Sequence, residues 1–164
     1  MKVILIAAVS ADGFIAKDSA HTADWTSKED KKLFVELTKR AGVMIMGRNT
    51  YETIGQALPE RLNIVYTSRL IDNPEIQTTQ EPPEQLVSRL DQEGFSEIAL
   101  CGGQVIYDLF LNSGVVDEIY LTIEPKLFGH GITLSKTLND LNLKLIGHKK
   151  LNDDTLNLHY EVIK

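Results

Sequence analysis

Val43-Met-Ile-Met-Gly-Arg-Asn-Thr-Tyr-Glu-Thr-Ile-Gly-Gln-Ala-Leu-Pro-Glu-Arg-Leu-Asn-Ile-Val-Tyr-Thr-Ser-Arg69 is the stretch whose reading decides the fold. Residues 43–46 form a short, wholly apolar run, the signature of a strand buried on both faces, and Gly47 closes it. Residues 49–54 read as a short helix, Gly55 to Pro59 as a turn, and residues 62–66 as a second buried strand. A strand, a helix and a strand in that order make a parallel crossover unit. Such a unit aims the start of its helix out of the sheet edge, where free backbone N–H groups favour an anion. Arg48 and Asn49 stand at that opening, and Thr67, Ser68 and Arg69 follow the second strand on the same edge. Hydroxyls, amides and two guanidinium groups gathered there suit a phosphorylated nucleotide. An ordinary crossover with surface arginines accounts for the same residues.

Outward from that unit, 164 residues with 43% hydrophobic content suffice for one good core and not for two ordinary domains, so a single domain spanning 1–164 is expected. The 17 basic residues against 23 acidic ones argue against nucleic acid or an anionic membrane surface as the main partner, which leaves a small molecule. Cys101 is the single cysteine, so no internal disulfide can form. No Cys/His cluster has metal-ligand spacing, and a reducing cytoplasm is the expected setting. No apolar run reaches membrane-spanning length.

Residues 3–10 are a continuous apolar run, expected as a central strand, followed by a turn at Ala11-Asp12-Gly13 and an irregular polar loop over 16–24. After Trp25 a helix is predicted, with a capping box from Thr26 and Glu29 or from Ser27 and Asp30, and with Leu33, Phe34, Leu37 and Ala41 on its buried face. Helical spacing puts Asp30 on that apolar face, where a poorly solvated carboxylate would mark a site. An acid in the first helical turn also reads as a plain cap. A turn-rich segment over 70–83 is expected to hold one short edge strand, and residues 84–93 an amphipathic helix. Residues 97–101 form an apolar strand ending in Gly102-Gly103-Gln104-Val105-Ile106-Tyr107, a glycine pair that lets backbone approach a pyrophosphate or simply turns tightly. Residues 115–123 read as a strand, and 143–148 with 156–163 as a terminal hairpin.

Met46-Gly-Arg-Asn-Thr-Tyr-Glu-Thr-Ile-Gly55, the later Leu-Pro and Ser-Arg, and the spacing of Trp25, Asp30, Phe34 and Thr38 together closely resemble the dihydrofolate reductase family. The resemblance implies an α/β fold: a twisted, mostly parallel sheet of about eight strands flanked by four helices, with an antiparallel C-terminal strand. It implies that Asp30 binds the 2-amino group and adjacent ring nitrogen of a pterin. Phe34, Ile6 and Ile54 would line the substrate cleft, Trp25 would hold a water, and Arg61 would bind the glutamyl carboxylate of a folate. Thr122 matches the threonine that bonds the pterin-binding acid. The implied cofactor is NADPH, held by Arg48, Asn49 and Thr50 at its phosphates and by Thr67, Ser68 and Arg69 near the adenosine 2′-phosphate. Gly102, Gly103, Gln104, Val105, Ile106 and Tyr107 would form the second cofactor loop, Gly47 would also bind the cofactor, and Ala8 and Ile15 would lie near the nicotinamide.

On that pattern the activity is NADPH-dependent reduction of 7,8-dihydrofolate to tetrahydrofolate, by a monomer or homodimer. The chain departs from the pattern at Ala16, at Asp24, and at Phe128-Gly-His-Gly-Ile-Thr-Leu134, where the folate enzymes have Gly-Asp-Thr and a Phe-Pro pair. That last segment is more similar to the reductases of riboflavin synthesis, which act on a phosphoribosyl-aminopyrimidine. A non-catalytic NADPH-binding module is a further alternative.

Overall fold

The computed structural model describes residues 1–164. In chain order its elements are β1 (Lys2–Ser10), β2 (Phe14–Ala16), a 3₁₀ turn (Ala23–Trp25), α1 (Lys28–Ala41), β3 (Val43–Gly47), α2 (Arg48–Ile54), β4 (Leu62–Tyr66) and β5 (Ile76–Thr79). Then follow α3 (Pro83–Gln92), β6 (Glu97–Leu100), α4 (Gln104–Ser113), β7 (Glu118–Glu124), β8 (Ile132–Thr133), β9 (Asn142–Lys150) and β10 (Leu156–Ile163). Eight strands form one sheet in the order β5-β4-β3-β6-β1-β7-β10-β9. The strands from β5 to β7 in that order pair in parallel, and β10 runs antiparallel to both neighbours. This is the expected sheet, with four α-helices and the reversed C-terminal strand.

The period-two alternation of β1 shows why the sheet is covered on both sides. Val3, Leu5 and Ala7 join the core that contains Leu86 and Leu90 of α3 and Ile106 and Phe110 of α4. Ile4 and Ile6, facing the other way, pack with Leu37 and Ala41 of α1. Leu86, Leu90 and Phe110 are wholly buried. Each such side chain removed from water contributes roughly 1.5–3 kcal/mol before entropy is counted. Helix α1 starts at Ser27, whose hydroxyl accepts from the Asp30 N–H at 3.1 Å, and stops at Gly42 in the left-handed region (φ 74°). The cap is therefore the Ser27–Asp30 alternative. Only half of a capping box forms, because the Ser27 N–H is bonded to Glu124 rather than to Asp30.

Several boundaries differ from expectation. The strand expected over 115–123 is Glu118–Glu124; Asp117, just before it, bonds through its backbone to Val3 and Val162 of the flanking strands, and its carboxylate accepts from the Val3 N–H at 2.8 Å. The helix expected over 84–93 begins at Pro83, whose fixed φ suits a first helical position. The helix expected from Asn49 begins at Arg48. The loop expected over 16–24 is interrupted by the 3₁₀ turn, and Ala16 belongs to β2. A second, two-stranded sheet of β2 and β8 was not expected at all. Gly131 makes it possible: a Cβ there would lie 2.3 Å from the Ala16 carbonyl oxygen. No helix is long and apolar enough to cross a membrane.

Candidate active site

The parallel strands end on one edge, and the loops after β1, β3 and β6 open a cavity of about 760 Å³ between that edge, α1 and the β2–β8 pair. Crevices at the carboxyl ends of parallel strands are where α/β folds bind ligands. One half of the cavity is built from the two strand-to-helix turns. Gly47 to Thr50 line it from one side and Gly102 to Tyr107 from the other. The turns are tied together, since the Gly47 N–H donates to the Gly102 carbonyl at 2.7 Å and the Cys101 N–H to that of Ile45 at 2.8 Å. Gly102 has φ 121°, and a Cβ there would meet the Thr50 hydroxyl at 3.3 Å and the Tyr107 hydroxyl at 3.4 Å. Tyr107, anchored by donating to the Ile6 carbonyl at 2.7 Å, fixes this wall from behind.

Arg48 gives this half its charge. Its Nε donates to Glu52 at 2.6 Å one helical turn away, while its Nη1 is buried without any hydrogen-bond partner. An orphaned guanidinium N–H is costly to bury, so it awaits an acceptor. A glycine-lined backbone beside an unpaired guanidinium nitrogen fits a phosphate-bearing dinucleotide.

The other half is mainly apolar and carries the Asp30 acid. Ile6, Phe34, Ile54 and Leu58 line it, with Asp30 and Lys31 of α1 and with Trp25 at the mouth. Burial pushes the Asp30 carboxyl above its ordinary value, and the nearby charge of Glu124 adds to that; Thr122, Thr26 and Lys31 pull the other way. Trp25 packs edge-on against Phe128 (4.9 Å between centroids) and lies beside His21, an aromatic rim over the entrance. Gln104 holds the cover in place by donating to both the carbonyl and hydroxyl of Thr133, at 3.0 Å each.

The cavity thus gathers Ile6, Ala8, Ile15, Trp25, Asp30, Phe34, Gly47, Arg48, Asn49, Thr50, Ile54 and the whole segment Gly102 to Tyr107. Five expected site residues are not among its lining. Thr122 stands behind Asp30, its hydroxyl accepting from Asn157 Nδ2 at 3.0 Å. Arg61 is drawn aside, donating through Nη1 to the Thr38 hydroxyl and through Nε to the Pro59 carbonyl (2.9 Å). Thr67, Ser68 and Arg69 follow β4 on the same sheet edge, where the Thr67 hydroxyl accepts from the Arg69 N–H at 3.0 Å. Conversely, Lys31, Val35, Thr53, Leu58, Tyr66 and Cys101 line the cavity without having been singled out as site residues. Helical spacing carried the signal for two of them, since Lys31 and Val35 flank the Asp30–Phe34 stripe. Cys101 is no nucleophile: desolvation pushes its thiol up, and the S–H points at the Ala99 carbonyl (3.5 Å).

Comparison with known proteins agrees with this geometry. Residues 2–163 match the family model described as dihydrofolate reductase. The dihydrofolate reductase of Buchnera aphidicola is 30% identical over 168 residues, covering 100% of this chain and 96% of that protein. Two solved structures superpose over almost the whole chain. One is a Shewanella protein assigned to riboflavin biosynthesis, with a TM-score of 0.81, 23% identity and 100% of each chain covered. The other is the Enterococcus faecalis dihydrofolate reductase complexed with NADP(H), with a TM-score of 0.81, 19% identity, 99% of this chain and 97% of that one covered. At those identities the two superpositions speak for the fold alone.

Proposed function

Since the chain belongs to the dihydrofolate reductase family and is an oxidoreductase, we propose that it reduces 7,8-dihydrofolate to tetrahydrofolate at the expense of NADPH. The observation that carries this reading is the Asp30 carboxylate, the one acid on the apolar wall formed by Ile6, Phe34 and Ile54, backed by Thr122. A planar heterocycle with an amino group beside a ring nitrogen offers that acid two parallel N–H donors. Phe34 and Ile54 cover the ring, and Asp30 orients it and raises the basicity of the ring nitrogen that must be protonated. Asp30 binds the far side of the ring, so the proton comes from water admitted beside Trp25. NADPH, when bound, supplies the hydride. Arg48, Asn49 and Thr50 would hold its phosphates with the Gly102–Tyr107 turn, Thr67, Ser68 and Arg69 its 2′-phosphate, and Ala8 and Ile15 would flank the nicotinamide. The chain acts as one domain, in the cytoplasm, as a monomer or homodimer.

Reduction of the riboflavin-pathway pyrimidine is the second reading. It is favoured by the Gly129-His130-Gly131 segment leading into β8, and by the position of Arg61 outside the cavity lining. The deciding experiment follows loss of reduced-nicotinamide absorbance with each substrate in turn, using Asp30→Asn as control. Turnover of dihydrofolate that requires Asp30 supports the first reading. Turnover of the phosphoribosyl-aminopyrimidine alone replaces it with the second.

A further inference from the structure

A group of buried polar residues stands behind Asp30. Thr122 and Glu124 of β7 are each 2% exposed, as is Thr155, and Asn157 of β10 is 5% exposed. Two residues apart on β7, Thr122 and Glu124 point to the same face, and they are met by Asn157 of β10 and by Thr155 just before that strand. They form two parallel rungs. In the first, Glu124 Oε2 accepts from the Thr155 hydroxyl at 3.2 Å, while Oε1 accepts from both the N–H and the hydroxyl of Ser27, each at 2.8 Å. In the second, Asn157 donates to the Thr122 hydroxyl oxygen, which leaves the Thr122 hydrogen free for Asp30.

We propose that Glu124 is a positioning residue for Asp30: from the end of β7 it grips Ser27, the N-cap of α1, and so fixes the first helical turn, which carries the acid. The proposal rests on the reading of Asp30 as the substrate-binding acid. Ser27 is the joint, because its hydroxyl donates to Glu124 and at the same time accepts from the Asp30 N–H at 3.1 Å. A serine cap needs no buried carboxylate to close a helix start; the cap bond to Asp30 is made by the Ser27 oxygen alone. Glu124 adds direction. It makes two bonds to one residue, so Ser27 can neither rotate nor translate along the strand without losing one of them. Every partner of Glu124 is a donor, so both of its buried oxygens are satisfied as acceptors. Its charge lies near Asp30 and works with desolvation to raise the Asp30 carboxyl, against Lys31 from the same helix, Thr26 from the preceding turn and Thr122 from β7. The Tyr107 phenol of α4 also senses the Asp30 charge.

The test compares Glu124→Ala with Glu124→Gln. Glutamine can keep an oxygen on Ser27 and turn its amide toward the Thr155 oxygen, so it retains the grip and loses the charge. With folding checked by thermal melts and NADPH binding by titration, Glu124→Ala is expected to lower kcat/KM for dihydrofolate by about tenfold, the scale of a small misplacement of a substrate-orienting group. Glu124→Gln should recover most of that loss. In both variants Asp30, followed by carboxylate-carbon NMR without substrate, should titrate lower than in the parent because a negative neighbour is gone. Should Glu124→Ala not fold, Thr155→Val removes one donor to Glu124 and should lower kcat/KM in the same direction by about twofold. Folded Glu124→Ala with parental kcat/KM overturns the proposal, as does an equal loss in both Glu124 variants. If the parent protein does not turn over dihydrofolate, the folate reading fails by itself, and protection of the Asp30 N–H from hydrogen exchange, expected to be lost in Glu124→Ala and kept in Glu124→Gln, still decides this one.

Discussion

The two halves of the cavity are built in opposite ways. The half around Gly47 to Thr50 and Gly102 to Tyr107 is made of backbone: two strand-to-helix turns whose shape is set within a few residues of sequence. The half around Asp30 is made of side chains recruited from far along the chain, with Thr122, Glu124, Thr155 and Asn157 standing behind one carboxylate. Backbone geometry presents N–H groups and space, which suit a group common to many ligands, such as a phosphate. Side-chain networks present one acid at one angle, which suits a single heterocycle. The difference teaches where mutation should separate cofactor binding from turnover.

The sharpest separation is expected at Asp30. Asp30→Asn keeps the shape of the wall and removes the charge that orients the ring, so turnover should drop by about a thousandfold, the scale of a lost electrostatic contact to a reacting group. NADPH affinity, read by fluorescence titration, should stay at the parental value; parental turnover in this variant would take the acid out of the mechanism. Arg48→Met should do the reverse. Loss of the guanidinium whose Nη1 lacks a protein partner should raise the KM for NADPH by about ten- to a hundredfold, the scale of a charge-assisted bond, with little change in kcat. A drop in kcat without a change in KM would mean that Arg48 acts on the chemistry and erases the distinction between the halves. A smaller effect is expected at Arg61, which is already engaged by Thr38 and Pro59. Arg61→Ala should raise the KM for dihydrofolate by about tenfold and spare kcat. An unchanged KM would argue against a tail carboxylate at this arginine and toward the pyrimidine substrate.

The same division governs what could be read without a structure. The individual strands, the helix at Leu33, Phe34, Leu37 and Ala41 and the terminal hairpin follow from local patterns of apolar runs, strand-end glycines and helical stripes, while the extent of the sheet and its reversed last strand came with the family resemblance. The glycine turn after β6 was equally legible, since Gly102 and Gly103 between a strand and a helix have a local reason to be there. The cover was not. The β2–β8 pair depends on Gly131, just before a two-residue strand with no periodicity to display, meeting the Ala16 carbonyl 115 residues away in the chain. Glu124 was invisible for a related reason. An acid at the end of a strand looks solvated until packing brings Ser27 and Thr155 onto its oxygens. Arg61 shows the converse: a motif match indicates its neighbourhood and says nothing of the Thr38 hydroxyl that engages it.

The finest distinction between the halves is in stability against pH. Desolvation holds the Asp30 carboxyl above its ordinary value of 3.8, so in the window between that value and its folded one the native state binds more protons than the unfolded chain. Stability therefore falls as pH rises through the window, and above it the cost of keeping a charge on an apolar wall is borne in full. Asp30→Asn removes that cost. Other carboxylates shift in the opposite sense, Asp12 being held down to about 2 by the Ser10 hydroxyl and the Phe128 and Gly129 N–H groups. They titrate alike in both proteins and cancel in the difference. The Tm of Asp30→Asn minus that of the parent, followed without ligands from about pH 3 to about pH 8, should start near zero and climb to a positive plateau. A difference that is flat, or that declines with pH, would show that the folded protein does not oppose ionisation of Asp30. The acid would then be an ordinary helix cap, with nothing stored in the wall for a cationic or hydrogen-bonding ring to release on binding.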